Sequence, residues 1–179
     1  MQTRTRLFLA LCASVAAASA MAQAPAPAAA PGAPPPAPPR ARGPELALAV
    51  EAAQTAIATC LANGYKTTAT VVDSAGVPVA MLSSDGAAER TQMIGLTKTT
   101  ATIKYKVPSG EIADRVKTDA ALDAEVKADP KIGTARRGAL PIKVGGVIIG
   151  ALSVSGAPGG DKDEVCTQAG LDKIAARLK

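Results

Sequence analysis

From Ala24 to Pro44 nearly every residue is alanine, proline or glycine, and this stretch limits which part of the chain can fold. It has no large apolar side chain to bury, and its proline runs favour extended polyproline II geometry. We interpret residues 23–44 as a disordered, semi-rigid tether; the alternative is a proline-rich ligand for a partner module. A single folded domain with its own core is therefore expected over residues 45–179.

The first 22 residues have the pattern of a secretory signal peptide. Arg4 and Arg6 precede an apolar run from Leu7 to Ala18, and small residues follow at positions 20 and 22. This order of charge, apolar run and small residues predicts cleavage before Gln23. A membrane anchor would need about 20 apolar residues. We therefore expect a periplasmic or secreted protein with no membrane span after signal cleavage.

Charge and residue types exclude several classes of function. The 20 basic side chains include Arg4, Arg6, Arg40 and Arg42, which precede the domain, so the domain's remaining basic residues nearly balance the 15 acidic ones. That balance predicts no nucleic-acid partner. The chain has no histidine, which excludes a serine or cysteine catalytic unit that uses histidine and every histidine-ligated zinc site.

Residue periodicity predicts the first half of the domain. Apolar residues at three- and four-residue steps indicate a helix from Pro44 to a left-handed cap at Asn63-Gly64. A β-hairpin is expected over residues 66–83, and its second strand should lie at a sheet edge because Pro78 lacks a backbone N–H. A helix follows over residues 91–106, with Ile94, Ala101 and Tyr105 near one face.

The second half continues with shorter helices and another hairpin. Short helical pieces are expected over residues 111–116 and 120–127. The glycine pair Gly145-Gly146 predicts a two-residue turn between strands, the second of which is apolar on both faces like a central strand. A last helix is expected from about Asp161. This order of elements is typical of an α+β fold with an antiparallel sheet and helices packed against it.

Three stretches of the domain carry motifs. The first joins Gly64-Tyr65-Lys66 to Val71-Val72-Asp73-Ser74-Ala75-Gly76. The second runs from Asp85-Gly86-Ala87 through Thr91 and Lys98 to Tyr105, Pro108 and Glu111. The third runs from Leu140-Pro141-Ile142 through Gly145-Gly146 and Gly150-Ala151 to Val154-Ser155-Gly156-Ala157-Pro158-Gly159-Gly160-Asp161-Lys162-Asp163-Glu164. Together they cover nearly all of residues 45–179 and resemble the GlcG/HbpS-type haem-binding family. The resemblance implies a profilin-like α/β/α sandwich with a five-stranded antiparallel sheet, and a homo-oligomer.

The resemblance also implies haem or a related tetrapyrrole as the ligand. The leading expectation is an exported small-molecule-binding protein that acts as a carrier, buffer or sensor partner. Two alternatives are a receptor for a small carboxylate such as a glycolate-like acid and an enzyme acting on haem, for which Asp73, Asp85 and Glu111 are the carboxylates near the expected site. A further alternative is a domain that has kept the fold and lost its ligand.

The site residues follow from the same resemblance. Relatives tend to carry a His-Thr pair where this chain has Arg90-Thr91, so the histidine ligand is lost. Haem iron can also be held by methionine or tyrosine, and the chain offers Met81, Met93, Tyr65 and Tyr105, with the Thr91 hydroxyl as a weaker candidate. The candidate ligand-binding residues are Arg90, Thr91, Met93, Lys98 and Tyr105, with the two cations positioned for haem propionates or another carboxylate. Their alternatives are ordinary roles as core residues, a helix cap and solvated surface cations.

Two cysteines remain after signal cleavage, and they are expected to form a disulfide. Cys60 and Cys166 each lie on the apolar ridge of a helix, one in the first helix and one in the last. In the fold that the resemblance implies, the terminal helices share one face of the sheet, and export delivers both thiols to an oxidising compartment. The alternative is a pair of buried free thiols that act as small apolar residues.

Overall fold

The computed structural model of the protein describes residues 41–179; the predicted signal peptide and nearly all of the predicted tether lie outside these residues. The elements in chain order are α1 (Leu46–Ala62), β1 (Thr68–Asp73), β2 (Pro78–Ser83), α2 (Arg90–Tyr105), α3 (Ser109–Arg115), α4 (Ala120–Ala128), β3 (Ala139–Val144), β4 (Val147–Ser155) and α5 (Gly160–Ile174), followed by a 3-10 turn (Ala175–Arg177). The order is the helix, hairpin, helices, hairpin and helix that periodicity predicts.

The sheet is antiparallel and has four strands within the described residues, in the order β2-β1-β4-β3. The expectation of five strands is therefore wrong. All four strands come from the two hairpins, and the long segment between β2 and β3 forms helices α2, α3 and α4 instead of a fifth strand. β2, with Pro78, lies at an edge and β4 lies inside the sheet, as their sequences predict.

Helices α1 and α5 pack together on one face of the sheet. Their buried apolar residues, among them Ala52, Ala56 and Ile174, form one core with Val71 and Leu152 of the central strands. Cys60 of α1 and Cys166 of α5 form a disulfide with their Cα atoms 5.6 Å apart. The bond closes a loop across 106 positions of sequence and joins the two terminal helices, as the sequence predicts.

Helix α2 covers the opposite face of the sheet through polar contacts. Thr91 Oγ1 lies 2.7 Å from Thr68 Oγ1, and Ser153 Oγ donates a 3.0 Å hydrogen bond to the carbonyl oxygen of Gly95. The buried face of this helix consists of Thr91, Gly95, Lys98, Thr99, Ala101 and Thr102. Of the apolar face expected from Ile94, Ala101 and Tyr105, only Ala101 belongs to this buried face.

A second, smaller core lies where α2, α3 and α4 meet. It is formed by Ala101, Ile112, Leu122, Val126 and Ile132, with Tyr105 at its border.

In the described part of the chain no helix is both long and apolar enough to cross a membrane.

Candidate ligand-binding site

A cleft of about 700 Å³ opens where α2 and α5 begin. The first turns of these helices form two of its sides, the end of β4 and the glycine-rich loop after it form a third, and α3 with the segment before β3 forms the fourth. The lining residues are Lys66, Ala88, Arg90, Thr91, Ile94, Lys98, Ala113, Lys117, Ala135, Arg136, Arg137, Ser155, Gly156, Ala157, Gly159, Gly160, Asp161 and Asp163. The volume lies within the range of small-molecule sites.

The lining of the cleft is strongly basic. Six cationic side chains, those of Lys66, Arg90, Lys98, Lys117, Arg136 and Arg137, face two acidic ones, Asp161 and Asp163. This excess contrasts with the near balance of charge over the whole domain. Because clefts lined by one sign of charge concentrate ligands of the opposite sign, the site favours an anionic small molecule.

Three of the six cations have acidic partners. Lys98 pairs with Asp163, Lys117 with Asp114, and Arg137 with Asp114 and Glu164. Lys66, Arg90 and Arg136 are exposed and pair with no acidic side chain among residues 41–179. These three side chains are therefore free to contact an anion.

The cleft also lies at the amino ends of two long helices. Arg90 is the first residue of α2 and Gly160 is the first residue of α5. The unpaired backbone N–H groups at a helix start carry a partial positive charge, which favours anions. Their fields add to the field of the three unpaired side chains.

A buried ion pair forms the floor of the cleft. Lys98 Nζ lies 2.6 Å from Asp163 Oδ2 and donates a second hydrogen bond of 2.8 Å to the carbonyl oxygen of Val154. Burial lowers the pKa of Lys98 and raises the pKa of Asp163, while the attraction between the two charges opposes both shifts. The pair links α2, the end of β4 and the start of α5 at one point.

Asp163 also holds the glycine-rich loop. Its Oδ1 accepts a 2.9 Å hydrogen bond from the backbone N–H of Ala157. The pair fits because residue 138 has no side chain: a Cβ on Gly138 would lie 2.7 Å from Lys98 Nζ and 2.8 Å from Asp163 Cβ. Asp163 therefore joins the glycine-rich loop to the first turn of α5 on this side of the cleft.

Arg137 connects α3 to α5 at the rim. Its guanidinium contacts Asp114 of α3 and lies 3.3 Å from Glu164 Oε2 of α5. The side chain passes close to two glycines, since a Cβ on Gly110 would lie 2.6 Å from Arg137 Nη1 and a Cβ on Gly160 would lie 2.8 Å from Arg137 Cβ. Arg137 is thus held in place by the fold, whereas Arg136 beside it is exposed.

The structure brings together three of the five candidate ligand-binding residues. Arg90, Thr91 and Lys98 line the cleft. Met93 does not; it lies on the outer side of α2 and is 68% exposed. Tyr105 lies at the other end of α2, where its hydroxyl donates a 3.0 Å hydrogen bond to Glu125 Oε1. The next residue of the helix, Ile94, lines the cleft, whereas Met93 does not.

The carboxylates considered for acid-base catalysis do not line the cleft. Asp73 accepts hydrogen bonds from the backbone N–H groups of Ala75 and Val77 and so closes the first hairpin turn. Asp85 and Glu111 are exposed residues outside the lining set. The buried acidic residue of the cleft is Asp163 instead.

Several functional candidates escaped the sequence analysis. Lys66, Lys117, Arg136, Arg137, Asp161 and Asp163 line the cleft without having been singled out. Two sequence signals could have indicated these residues: the adjacent Arg136-Arg137 pair ahead of a strand, and the acidic residues after the glycine-rich loop. Nothing in the sequence marks Lys98 and Asp163 as partners, because they lie 65 positions apart.

The residues of the cleft fit haem carboxylates but do not supply an ordinary iron ligand. The unpaired arginines and lysine suit propionates. Tyr65, Met81, Met93 and Tyr105 lie outside the lining, and Cys60 and Cys166 are joined in the disulfide. Residues 41–179 also contain no group of three or more histidine, cysteine or acidic side chains arranged to hold a metal ion.

The fold is similar to that of several solved structures. A double mutant of Streptomyces reticuli HbpS is 28% identical and aligns over 83% of this chain and 99% of that chain, with a TM-score of 0.69. Klebsiella pneumoniae protein ORFY is 23% identical over 76% of this chain and 94% of that chain, with a TM-score of 0.70. PduOC, solved as a haem complex, is 17% identical over 74% of this chain and 94% of its own, with a TM-score of 0.66.

Sequence comparison with families gives the more specific result. No curated protein matches the chain at a significant level. A family model described as "Haem degrading protein HbpS-like" matches residues 45–172, which is most of the chain and nearly all of the folded domain. The protein therefore belongs to the HbpS-like family.

Proposed function

We propose that this protein is an exported binding protein that holds haem or a related tetrapyrrole in the basic cleft. The observation that carries the proposal is the lining itself: six cations face two carboxylates, and Lys66, Arg90 and Arg136 have no acidic partner among the described residues. A carboxylate-bearing ligand would compensate those charges. Membership of the HbpS-like family and the haem complex of PduOC support a tetrapyrrole as that ligand.

The binding test is a titration of haemin into the purified mature protein, followed by absorption. A saturable shift of the Soret band at one equivalent per domain is the expected result. A spectrum that stays identical to free haemin in the same buffer rejects haem as the ligand. Export is tested separately by determining the amino terminus of protein recovered from the periplasm or medium, which should begin at Gln23.

A second candidate is a receptor for a small carboxylate such as a glycolate-like acid. The polarity of the lining favours it, since Ile94 is the single large apolar side chain among the described lining residues. Calorimetric titration of the same protein with glycolate separates the two. Micromolar binding of glycolate, together with an unshifted haemin spectrum, would favour the small acid.

A further inference from the structure

The side chains that line the cleft carry few groups able to coordinate haem iron. Lysine and arginine side chains are hydrogen-bond donors without an acceptor when charged. The hydroxyl of Thr91 already contacts Thr68 Oγ1 at 2.7 Å and the carbonyl oxygen of Ala88 at 2.6 Å. Asp163 is occupied by Lys98 and by the N–H of Ala157. Asp161 also lines the cleft, but a carboxylate is not among the usual ligands of haem iron. The lining is therefore better suited to binding anions than to coordinating iron.

The tyrosine and methionine side chains that could ligate iron are held elsewhere in the fold. The ring of Tyr65 packs against the core formed by α1, α5 and the central strands, and Lys162 Nζ lies 5.6 Å from the ring centroid. Tyr105 donates its hydroxyl to Glu125 beside α4. Met81 belongs to the edge strand β2, and Met93 points away from the cleft on α2.

The three lining cations without an acidic partner among the described residues recognise negative charge. Arg90 lies at the start of α2, Lys66 Nζ lies beside Gly86 in the loop before that helix, and Arg136 lies in the segment before β3. Charge-assisted hydrogen bonds to carboxylates are the strong polar contacts available to such side chains. The ligand atoms they can contact in a tetrapyrrole are the carboxylate oxygens at its edge.

We infer that the cleft binds its tetrapyrrole through the carboxylates, with no protein ligand on the iron, so that metal-free and iron-loaded macrocycles bind alike. This inference rests on the proposed function and adds the chemical basis of selection. The protein then selects its ligands by their negative charge, and no side chain of the described residues coordinates the metal. A carrier of this kind accepts protoporphyrins of any metal content.

The test compares three ligands that differ in one feature each. Haemin is followed by absorption, metal-free protoporphyrin IX by its fluorescence, and protoporphyrin IX dimethyl ester in the same way. The first two are expected to bind with dissociation constants within about threefold of each other, and the ester roughly tenfold or more weaker, as expected for the loss of one charge-assisted hydrogen bond.

Variants link the carboxylates to named side chains. Arg90→Ala and Arg136→Ala should each weaken haemin and protoporphyrin IX by the same factor and leave the ester's affinity unchanged. Lys143→Ala removes an exposed cation of β3 outside the cleft and is the matched control. Met93→Ala and Tyr105→Phe should leave the Soret position of bound haemin unchanged.

The outcomes separate the inference from the function on which it rests. Haemin binding without protoporphyrin IX binding, or a Soret shift lost in Met93→Ala or Tyr105→Phe, overturns the inference and leaves the function in place. Equal affinity for the ester and the free acid also overturns it. If neither haemin nor protoporphyrin IX binds, the proposed function itself is rejected.

Discussion

Lys98 Nζ and Asp163 Oδ2 lie 2.6 Å apart, and the two side chains are only 2% and 5% exposed. One comes from the middle of α2 and the other from the first turn of α5. They meet below the cleft because Gly138 leaves the space that a side chain would occupy. The pair therefore couples the stability of the domain to the geometry of its candidate site.

Removal of one charge of the Lys98–Asp163 pair should lower the free energy of unfolding much more than removal of both. Lys98→Met leaves Asp163 buried and unpaired, which is expected to lower the free energy of unfolding by about 3–5 kcal/mol. The double variant with Asp163→Asn keeps an acceptor for the Ala157 N–H and should recover much of that loss. Urea unfolding measures both. Asp123→Asn, in the exposed pair with Lys127, serves as the control and should change little.

The comparison has a clear negative result. If the double variant is as unstable as the sum of the two single variants, the side chains do not interact as a pair in solution.

The disulfide should make a large contribution to stability. Replacement of both Cys60 and Cys166 by alanine is expected to lower the free energy of unfolding by about 4–5 kcal/mol, because a cross-link that spans so long a loop restricts the unfolded chain strongly. Urea unfolding of the variant, with and without a reductant, measures the effect. The variant should not respond to the reductant, whereas the parent protein should. Quantitative thiol labelling of the unreduced, denatured mature protein would contradict the bond.

Gly170 should not tolerate even a methyl group. A Cβ at this position of α5 would lie 2.5 Å from the carbonyl oxygen of Ala52 and 2.9 Å from Leu152 Cδ2, so α1 and α5 would have to separate. Gly170→Ala is expected to lower the free energy of unfolding by about 1–3 kcal/mol, although alanine favours helices. Thermal unfolding tests this against Gln168→Ala on the exposed side of the same helix. A stabilised Gly170→Ala would show that the helices are less tightly packed.

Arg90 should affect binding and not stability. Its side chain is exposed at the start of α2 and has no acidic partner among the described residues. Arg90→Ala is therefore expected to weaken ligand binding about tenfold, with a change in the free energy of unfolding below about 0.5 kcal/mol. Titration at low and high salt should show a smaller salt dependence for the variant. An affinity equal to that of the parent protein would remove Arg90 from the site.

The mature protein is expected to form a homo-oligomer. The chain has few large side chains, with two tyrosines as the aromatics of the folded domain, so its own core buries little apolar surface. Large apolar side chains such as Leu46, Val147 and Val165 are at least half exposed and could be buried between subunits. Sedimentation at micromolar concentration should give a mass above that of one domain. A single-domain mass at all concentrations would contradict this prediction.

Local sequence patterns determined the order of the elements. Helix α1 ends at Ala62, ahead of Gly64, and the glycine pair at 145–146 turns the second hairpin, because each of these features depends on residues next to one another. Pro78 likewise marks an edge strand without any knowledge of its neighbours. The pairing of the two cysteines could be predicted only together with the family's layered fold, which brings the terminal helices to one face.

Tertiary structure alone decided the number of strands and the composition of the cleft. The resemblance implied a fifth strand, but hairpin pairing supplies four, and the segment between the hairpins forms helices. Helix α2 shows the reason most clearly: its buried face carries threonines and Lys98, which no apolar periodicity reveals. Lys98 is stable there because Asp163 lies opposite, and charges 65 positions apart are brought together by packing and not by any local preference.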